Sequence, residues 1–405
     1  MKKLLILALC ALLLAGCFPA GPAPTETTQA PPPAGTTAGS TAGDTDPPTE
    51  AIPGTTLPPD PVQVLMEGMT IRELVGQLFM VCPEDLVTYD GSVLYATEVL
   101  AQGLERYPVG GVILFGDNIQ DPDQLRSLTG GLGEMGKIPL FLGVDEEGGA
   151  VARLANKYGF DLPKYKSAAA VGLGVPEDAY QRGRTIGGYL KDYGFNLDFA
   201  PVADVNTNPD NPVIGSRAFS ADPEVAASMA AAFARGLREA GILPTFKHFP
   251  GHGDTGEDSH SGMAVTNRSR EEMRSCEWLP FAMAGEGDLV MVGHISAPAL
   301  TGDDTPATMS RTVVTDILRG ELGFSGLVVT DSLAMGAITQ YYSPEEAAVA
   351  ALEAGCDLLL MPEDLPRAME GVLSALDSGR LTLDRIRESV ERILNYKIQL
   401  GILPV

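Results

Sequence analysis

Short apolar runs rich in β-branched and aromatic residues recur along the chain from about residue 75 onward. Amphipathic or alanine-rich segments with helical patterns separate several of them, at 122–132, 176–193 and 224–240. Residues 343–346, Ser-Pro-Glu-Glu, are typical of a helix start, with a capping serine, an early proline and acids in the first turn. The runs are GQLFMV (76–81), GGVILF (110–115), PLFLGVD (139–145), FNLDFAPVADV (195–205), PTFKHF (244–249), LVMVGHI (289–295), GLVVTD (326–331) and CDLLLMP (356–362). Their alternation with helices predicts an α/β fold, the (β/α)8 barrel.

A doubly wound open sheet is the main alternative to the barrel. No glycine fingerprint of the GxGxxG kind follows the first run, and this absence favours the barrel. Catalytic groups of a barrel lie at the C-terminal ends of its strands. Polar residues close five of the runs, namely Asp145, Asp204, Lys247 with His248, His294 and Asp331. We expect these side chains to converge on one site.

The stretch KHFPGHGDTGEDSH, residues 247–260, holds three of the four histidines of the chain. Its prolines and glycines indicate a loop, and loops on a rigid scaffold often carry function. A retaining glycosidase needs a nucleophile and a proton donor about 5–5.5 Å apart. His260, two residues after Asp258, could donate the proton, although Asp-x-His could instead be a loop-stabilising pair. Asp331 could be the nucleophile or a hydrogen-bonded structural carboxylate, and its position alone leaves both open.

The first 61 residues predict export and a tether. Residues 1–16 have the basic start and apolar run of a signal peptide, and Leu-Ala-Gly-Cys ending at Cys17 resembles a bacterial lipobox. An ordinary cleaved signal peptide with an incidental cysteine is the alternative. Residues 17–61, rich in proline, threonine and glycine, predict a disordered tether. We therefore expect an extracytoplasmic, membrane-anchored lipoprotein acylated at Cys17, with a catalytic barrel over 62–405.

Charge and cysteine content limit the partners and the chemistry. A formal net charge of −25 argues against nucleic acid as a partner. Beyond Cys10 and Cys17 the cysteines are Cys82, Cys276 and Cys356, whose irregular spacing suggests neither a disulfide framework nor a metal site. We expect Cys82 and Cys356 to be buried and inert.

Four motifs together carry a family resemblance: KHFPGHGDTGEDSH, VVTDSLAMGA, GVDEEGGAVARL and NPVIGSRAFS. They resemble glycoside hydrolase family 3, in its β-N-acetylglucosaminidase branch, over about residues 65–400. Glucosidases of that family take their acid from a second domain. This chain stops at residue 405 with no room for that domain, so we expect a self-contained barrel that uses its own histidine.

The resemblance implies a role for each matching residue. Asp331 becomes the nucleophile that forms a covalent glycosyl-enzyme, and His260, paired with Asp258, becomes the general acid/base. Residues matching positions that bind the terminal sugar are Asp145, Arg153, Arg217, Lys247, His248 and Met335. Ala150 stands where relatives often carry arginine, and we expect little effect on the sugar contacts. His252, Asp254, His294 and Asp204 are interpreted as structural, and the glycines of Glu-Glu-Gly-Gly as a tight turn.

The predicted function is a retaining exo-β-N-acetylglucosaminidase. It would remove terminal β-GlcNAc from cell-wall muropeptides or related oligosaccharides, as a monomer, without metal or organic cofactor. A phosphorylase on the same fold is the nearest alternative, because a histidine acid/base would not repel phosphate. A metal-dependent barrel hydrolase and a non-enzymatic sugar-binding lipoprotein are more distant alternatives.

Overall fold

The computed structural model describes residues 60–256 and 262–404. Within them, eight strands form one parallel sheet, and we label these β1 to β8 in chain order. They are Phe79–Val81 (β1), Gly111–Leu114 (β2), Phe141–Val144 (β3), Leu197–Asp198 (β4), Leu243–Phe249 (β5), Leu289–Val292 (β6), Leu327–Thr330 (β7) and Leu359–Leu360 (β8). Each strand pairs with the next, and β8 pairs with β1. A parallel bridge from Val329 to Leu358 joins β7 to β8, so the sheet closes and the predicted barrel is confirmed.

Helices connect the strands on the outside of this barrel. The α-helices are Pro61–Glu67, Ile71–Gln77, Glu98–Arg106, Pro122–Glu134, Ala168–Val171, Pro176–Asp192, Pro223–Glu239, Arg270–Ser275, Trp278–Phe281, Pro298–Thr301, Gly336–Thr339, Pro344–Ala354, Leu365–Asp377 and Leu383–Gln399. A π-helix spans Thr312–Glu321, and 3₁₀ turns span Pro83–Leu86, Gly116–Asn118, Gly215–Arg217 and Ala307–Met309. The predicted helices at 122–132, 176–193 and 224–240 are all present, with ends shifted by one or two residues.

A capping residue followed by proline begins several of these helices. Asp121 accepts hydrogen bonds from two first-turn amides, and Asp222 does the same ahead of Pro223. Ser343 accepts from the amide of Glu346, as its sequence predicted. A side-chain oxygen at the cap satisfies amides that have no partner within the helix, while proline needs none. The helix starts are therefore encoded locally.

The barrel interior is packed by side chains of alternating size. Gly143, on β3, faces Met80 and Phe199, and a Cβ added at Gly143 would lie 2.5 Å from the Met80 Cε. All three residues are buried. The interior is thus a filled core, which leaves the C-terminal ends of the strands as the place for a site.

Two short strand pairs extend beyond the barrel. Glu146–Gly148 pairs antiparallel with Val151–Ala152, immediately after β3. Ala264–Val265 pairs parallel with Ile295–Ser296, the segment after β6. Both pairs lie on loops that follow C-terminal strand ends, and their backbone hydrogen bonds fix the conformation of these loops.

The three cysteines of the described residues are free thiols. Cys356 is fully buried, but Cys82 is half-buried, contrary to expectation, because the chain leaves the sheet there and enters a surface turn. Burial raises the pKa of the Cys356 thiol to about 12 and of the Cys276 thiol to about 11, and it raises that of Cys82 still further. All three are therefore protonated and unreactive near neutral pH.

Across residues 60–256 and 262–404, no helix combines the length and the apolar character needed to span a membrane.

Candidate active site

A cavity of about 330 Å³ opens at the C-terminal ends of the strands. Residues from several of the βα loops line it, so it lies where barrel enzymes place their chemistry. Among its lining residues are Phe115, Asp145, Glu147, Arg153, Val213, Arg217, Lys247, His248, His252, Met291, Asp331, Ser332 and Met335. The structure therefore brings together all the predicted site residues that it describes.

Lys247 is the centre of an ion-pair network in the cavity wall. Its ammonium lies 2.8 Å from Asp145 Oδ1 and 2.8 Å from Glu147 Oε1. Burial lowers the pKa of Lys247, but the two carboxylates outweigh burial, so the pKa lies above its usual value and the side chain stays charged.

Arg217 completes this network from the other side of Glu147. Its Nε and Nη2 donate to the two oxygens of Glu147, at 3.0 and 2.7 Å, in a bidentate pair. Burial acts to raise the pKa of Glu147, but Lys247 and Arg217 lower it to about 2. The wall of the cavity thus carries fixed charges that can donate to and accept from a polar ligand.

Arg153 adds a second guanidinium at the mouth of the cavity. Its Nη2 lies 3.6 Å from Asp145 Oδ2, and its guanidinium stacks over the Phe115 ring at 5.5 Å from the centroid. Its Nε has no hydrogen-bond partner within the described residues. Its Nε is buried, but the side chain as a whole is 34% exposed, so Arg153 is held in place while the exposed part of its guanidinium keeps donor capacity for a ligand.

His248 is oriented by Asp204. The imidazole Nδ1 lies 2.8 Å from Asp204 Oδ2, so Nδ1–H donates and Nε2 is the ring's other hydrogen-bonding atom. The amides of His248 and His252 both donate to Asp204 Oδ1, at 3.2 and 2.7 Å. Asp204 is fully buried and follows a segment that stays paired with β5 beyond the end of β4. Val202 bridges to Lys247, and the Ala203 amide donates to the Lys247 carbonyl at 2.6 Å, so Asp204 lies at the end of the paired segment, as predicted. It holds the loop and the His248 ring together.

A β-bulge explains how both Lys247 and His248 reach the cavity. Successive residues of a regular strand point to opposite faces. Lys247 pairs with Met291 on β6, and Phe249 pairs with the next residue, Val292. His248 between them is therefore left without a partner on β6. The bulge re-aims the side chains, so both neighbours line the cavity.

His252 is held by the loop that follows β5. Its Nδ1 lies 2.6 Å from Thr255 Oγ1, and its carbonyl accepts from Asn211 Nδ2 at 2.8 Å. Burial lowers the pKa of His252, which keeps the ring neutral. These are contacts of a residue that shapes the loop.

Asp331 follows the last residue of β7 and faces the same cavity. Its Oδ1 accepts from the amide of Ser332 at 2.8 Å. Burial acts to raise the pKa of Asp331, but His248, His294 and the Ser332 amide outweigh it, so the pKa lies below its usual value. Asp331 is therefore ionised near neutral pH, as a nucleophilic carboxylate must be.

His294 lies buried beneath Asp331. Its Nε2 is 2.8 Å from the Ser332 carbonyl and its Nδ1 is 2.9 Å from Thr308 Oγ1. Because a carbonyl can only accept, Nε2–H donates to Ser332. Met335, buried and four residues after Asp331, lines the cavity as an apolar surface.

The glycines after Glu147 form the predicted tight turn. Gly148 and Gly149 have φ angles of 78° and 67°, in the left-handed region. A Cβ at Gly148 would lie 2.3 Å from the guanidinium of Arg182, which donates to the Glu147 carbonyl at 2.7 Å. The turn thereby carries Glu147 into the cavity wall.

The sequence patterns did not identify Glu147 as a site residue. Its neighbour Glu146 is fully buried and accepts from the amides of Leu154 and Ala155 and from the Tyr189 hydroxyl. One carboxylate of the doublet thus stabilises the loop and the other lines the cavity. The sequence does show two adjacent glutamates just after a strand end, but this position does not indicate which of the two lines the cavity.

Three predicted residues lie outside the described residues: Asp258, His260 and Cys17. Asp254, three residues before 257–261, accepts from Thr266 Oγ1 at 2.6 Å. Within the described residues, no group of three or more histidine, cysteine, aspartate or glutamate side chains could hold a metal ion.

Comparisons with known proteins agree with one another. Residues 70–396 match the model of the glycosyl hydrolase family 3 N-terminal domain. The chain is 35% identical over 332 residues to Beta-hexosaminidase A of Pseudoalteromonas piscicida, covering 74% of this chain and 55% of that relative. It is 32% identical over 414 residues to Beta-hexosaminidase LpqI of Mycobacterium tuberculosis, covering 98% of this chain and 97% of the relative.

A solved structure shows the same fold. It is a family 3 β-N-acetylglucosaminidase from Paenibacillus sp. str. FPU-7, with a TM-score of 0.77 and 38% identity. The match covers 83% of this chain and 63% of that one. This chain therefore spans just over half of the first relative and under two thirds of this structure.

Proposed function

The chain belongs to glycosyl hydrolase family 3, and from this premise we propose that it hydrolyses terminal β-GlcNAc from oligosaccharides with retention of configuration. The observation that carries the proposal is an ionised Asp331 on the same cavity as the network of Lys247, Glu147 and Arg217. A nucleophile and a rigid set of hydroxyl-binding groups are what an exo-glycosidase requires.

In the proposed first step, Asp331 attacks the anomeric carbon and the glycosidic bond breaks. His260, held by Asp258, donates a proton to the leaving oxygen; this pair comes from the sequence resemblance. In the second step His260 takes a proton from water, which displaces Asp331 and releases the sugar with its original configuration.

The cavity wall would hold the sugar by charge-assisted hydrogen bonds. Lys247, Arg217 and Arg153 can donate to hydroxyl and acetamido oxygens, and Asp145 can accept from hydroxyls. His248, oriented by Asp204, adds one further polar atom. Because burial and mutual pairing fix these groups before ligand binds, little ordering remains to be done on binding.

Muropeptide fragments of the cell wall are the proposed natural substrate class, with chitin or glycan fragments that end in the same sugar as alternatives. We further propose that the enzyme is exported and anchored through an acylated Cys17. The basic and apolar start, the Leu-Ala-Gly-Cys motif and the proline-rich residues 17–61 support this location.

The test is release of the aryl group from an aryl β-N-acetylglucosaminide, with the matching aryl β-glucoside as control. We expect turnover of the first and at least tenfold less of the second, since the acetamido group would go unrecognised. Proton NMR of the first product formed should show the β-anomer. The α-anomer as first product would contradict retention, and no turnover of either glycoside would overturn the proposed activity.

Phosphate is the second variable of this experiment. A phosphorylase would release GlcNAc-1-phosphate and turn over faster as phosphate rises, whereas we expect free GlcNAc and an unchanged rate. A fully retained activity in the presence of a chelator would separate the proposed mechanism from a metal-dependent hydrolase.

A further inference from the structure

Met361 has a backbone conformation that methionine rarely adopts. Its φ is 47°, and it is the one residue other than glycine with a positive φ among residues 60–256 and 262–404. In this left-handed region the Cβ of an L-residue lies too close to a neighbouring carbonyl oxygen, and glycine avoids this contact. Pro362 follows directly and restricts the conformation of Met361 further. Strained residues of this kind cluster at ligand-binding sites, so the position indicates a functional role for the Met361 side chain.

Hydrogen bonds on both sides of Met361 fix its backbone. Met361 immediately follows β8, and its amide donates to the Met80 carbonyl at 2.8 Å. The carbonyl of Leu360 accepts from the amide of Leu333, on the segment that follows Asp331, at 2.9 Å. These contacts hold the end of β8 between β1 and the segment after β7. The barrel therefore imposes the strained conformation, and it fixes the direction in which the Met361 side chain leaves the backbone.

The Met361 side chain lines the same cavity as Asp331. It is partly exposed, and it packs against the hydrophobic core. Because β7 and β8 are neighbours in the barrel, Met361 and Asp331 follow adjacent strand ends. The thioether chain thus presents an apolar and adaptable surface near the nucleophile of the proposed reaction.

The lining of the cavity divides into a buried floor and a half-buried mouth. Glu147 and Lys247 of the charged network belong to the floor, together with Met291. Beside Asp145, Arg153 and Arg217, the mouth has apolar side chains from four βα connections, namely Phe115, Val151, Val213 and Met361. Asp331 has the same intermediate exposure. The floor thus offers fixed charges, and the mouth adds apolar surface close to the reacting carboxylate.

A terminal sugar bound on the floor leaves one way out for the rest of a substrate. The barrel interior is a filled core, in which Met80, Gly143 and Phe199 pack together. The group attached to the anomeric carbon must therefore extend through the mouth. An alcohol that takes the place of water in the second step enters by the same route, because it forms the bond that the leaving group broke. Both meet the side chains of the mouth.

We propose that Met361 is a specificity-determining residue, whose side chain forms an apolar contact for the group attached to the anomeric carbon. The inference rests on the proposed function, because it needs the glycosyl-enzyme formed at Asp331. It assigns a further activity to the enzyme, transfer of the sugar to alcohols that carry an apolar group. In that step the alcohol oxygen bonds to the anomeric carbon, the ester bond to Asp331 breaks, and the alcohol proton passes to the base that otherwise takes it from water.

The test compares two primary alcohols, methanol and 2-phenylethanol, as acceptors during turnover of the aryl β-N-acetylglucosaminide. Liquid chromatography with mass detection gives the alkyl glycoside formed relative to free GlcNAc at equal alcohol concentrations. The ratio of the two transfer yields is the acceptor selectivity. The two hydroxyls have similar reactivity, so this ratio reports contacts of the rest of the alcohol. We expect wild-type enzyme to favour 2-phenylethanol by at least about tenfold.

Three variants at residue 361 separate the side chain from the backbone. Met361→Gly and Met361→Asn remove the apolar surface and tolerate the left-handed conformation, so we expect the acceptor selectivity to fall by about fivefold. Met361→Leu keeps an apolar side chain and should stay within about twofold of wild type. Met283→Asn is the matched control, since Met283 is exposed and does not line the cavity. It should behave as wild type.

The inhibition constant of free GlcNAc is the second measurement. It should not change in the variants, because the charged network of the floor holds the sugar itself. A rise in this constant that equals the loss of acceptor selectivity would place Met361 against the sugar and overturn the inference. Wild-type turnover without a preference between the alcohols, or variants at residue 361 that all keep the wild-type selectivity, would overturn it as well.

Thermal melting identifies any variant that is not folded at the assay temperature, and the folded variants then carry the comparison with wild type. Wild-type enzyme that turns over no glycoside would instead overturn the proposed function. That outcome is distinct from an active wild type that shows no acceptor selectivity.

Discussion

The two ends of the barrel each hold a buried cluster of carboxylates and arginines, but the clusters differ in what they leave available. At the N-terminal end, Asp357 accepts four hydrogen bonds: from Arg319 at 2.6 Å, the Val328 amide at 3.0 Å, Ser389 at 2.6 Å and Arg392 at 2.9 Å. Burial raises the pKa of Asp357, but the arginines outweigh it and the pKa is lowered. Every oxygen position is used within the protein.

At the C-terminal end, the network of Asp145, Glu147, Lys247 and Arg217 faces an open cavity. Arg153 nearby has a side chain that is 34% exposed, and its Nε has no hydrogen bond within the described residues. The same residue types thus form a closed cluster that ties helices to the sheet at one end and the wall of an open cavity at the other. The comparison shows that charged groups facing an open cavity, rather than buried charge as such, distinguish the C-terminal end.

The largest expected effect is at Asp331. Asp331→Ala should lower kcat on the aryl β-N-acetylglucosaminide by about 10⁴-fold, because no carboxylate remains to form the covalent intermediate. Its free energy of unfolding should change by no more than about 1 kcal/mol, measured by urea titration. A variant that keeps more than a tenth of wild-type activity would remove Asp331 from the nucleophile role.

Asp357→Asn should lower the stability of the fold and leave the activity nearly unchanged. Removing the charge leaves the partly buried Arg319 and Arg392 without the buried carboxylate that pairs with them, so we expect a loss of about 3 kcal/mol in the free energy of unfolding. At a temperature where the variant is folded, kcat/KM should stay within about twofold of wild type. A selective loss of kcat/KM with unchanged stability would contradict the division between the two ends.

Glu147→Gln tests the network that the sequence did not reveal. The variant removes the charge that Lys247 and Arg217 share, and we expect kcat/KM to fall by about ten- to a hundredfold, mainly through KM. The pKa of about 2 means that Glu147 stabilises the fold fully above about pH 4.5 and loses this contribution as pH falls toward 2. Acid unfolding of the variant, followed by fluorescence, should therefore lack this component.

Glu345→Gln is the matched control for Glu147→Gln, because Glu345 pairs with Arg367 on the exposed surface. It should change neither KM nor stability by a measurable amount. If both variants gave the same KM, the network around Glu147 would have no part in substrate binding.

The pH dependence of stability at Lys397 tests the description of the N-terminal end. Lys397 is fully buried, donates to Gln77 Oε1 at 2.7 Å and lies 5.1 Å from the Phe141 ring centroid. Burial lowers its pKa to about 7. Between about pH 7 and 10.5 the unfolded chain binds more protons at this lysine, so stability gains up to about 1.4 kcal/mol per pH unit as pH rises.

Lys397→Met should lack that gain. The unfolding free energy of the wild type should therefore rise steadily relative to that of the variant from pH 7 to pH 10. The exposed Lys137→Met, whose lysine pairs with Glu73, should leave the pH dependence unchanged. Parallel curves for wild type and Lys397→Met would show that Lys397 is not the group responsible.

The sequence determined the barrel and much of its site because both depend on short-range patterns. Apolar runs, capping residues and prolines act within a few positions, and they predicted the strands, the helices over 122–132, 176–193 and 224–240, and the helix start at Ser343. The barrel rule then selected Asp145, Lys247 and Asp331 as residues at or near C-terminal strand ends, and the structure places all three on one cavity. The roles of Asp258 and His260 stay predictions, outside the described residues.

Only the tertiary structure decided which of two similar neighbours does what. Glu146 and Glu147 look alike in the sequence, yet one binds Tyr189 and buried amides while the other binds Arg217, 70 positions away. A bulge in β5 brings His248 into the cavity beside Lys247, and Asp204, at the end of the segment paired with β5, orients the His248 ring. These outcomes depend on contacts between residues far apart in sequence, whose geometry exists only once the barrel has closed.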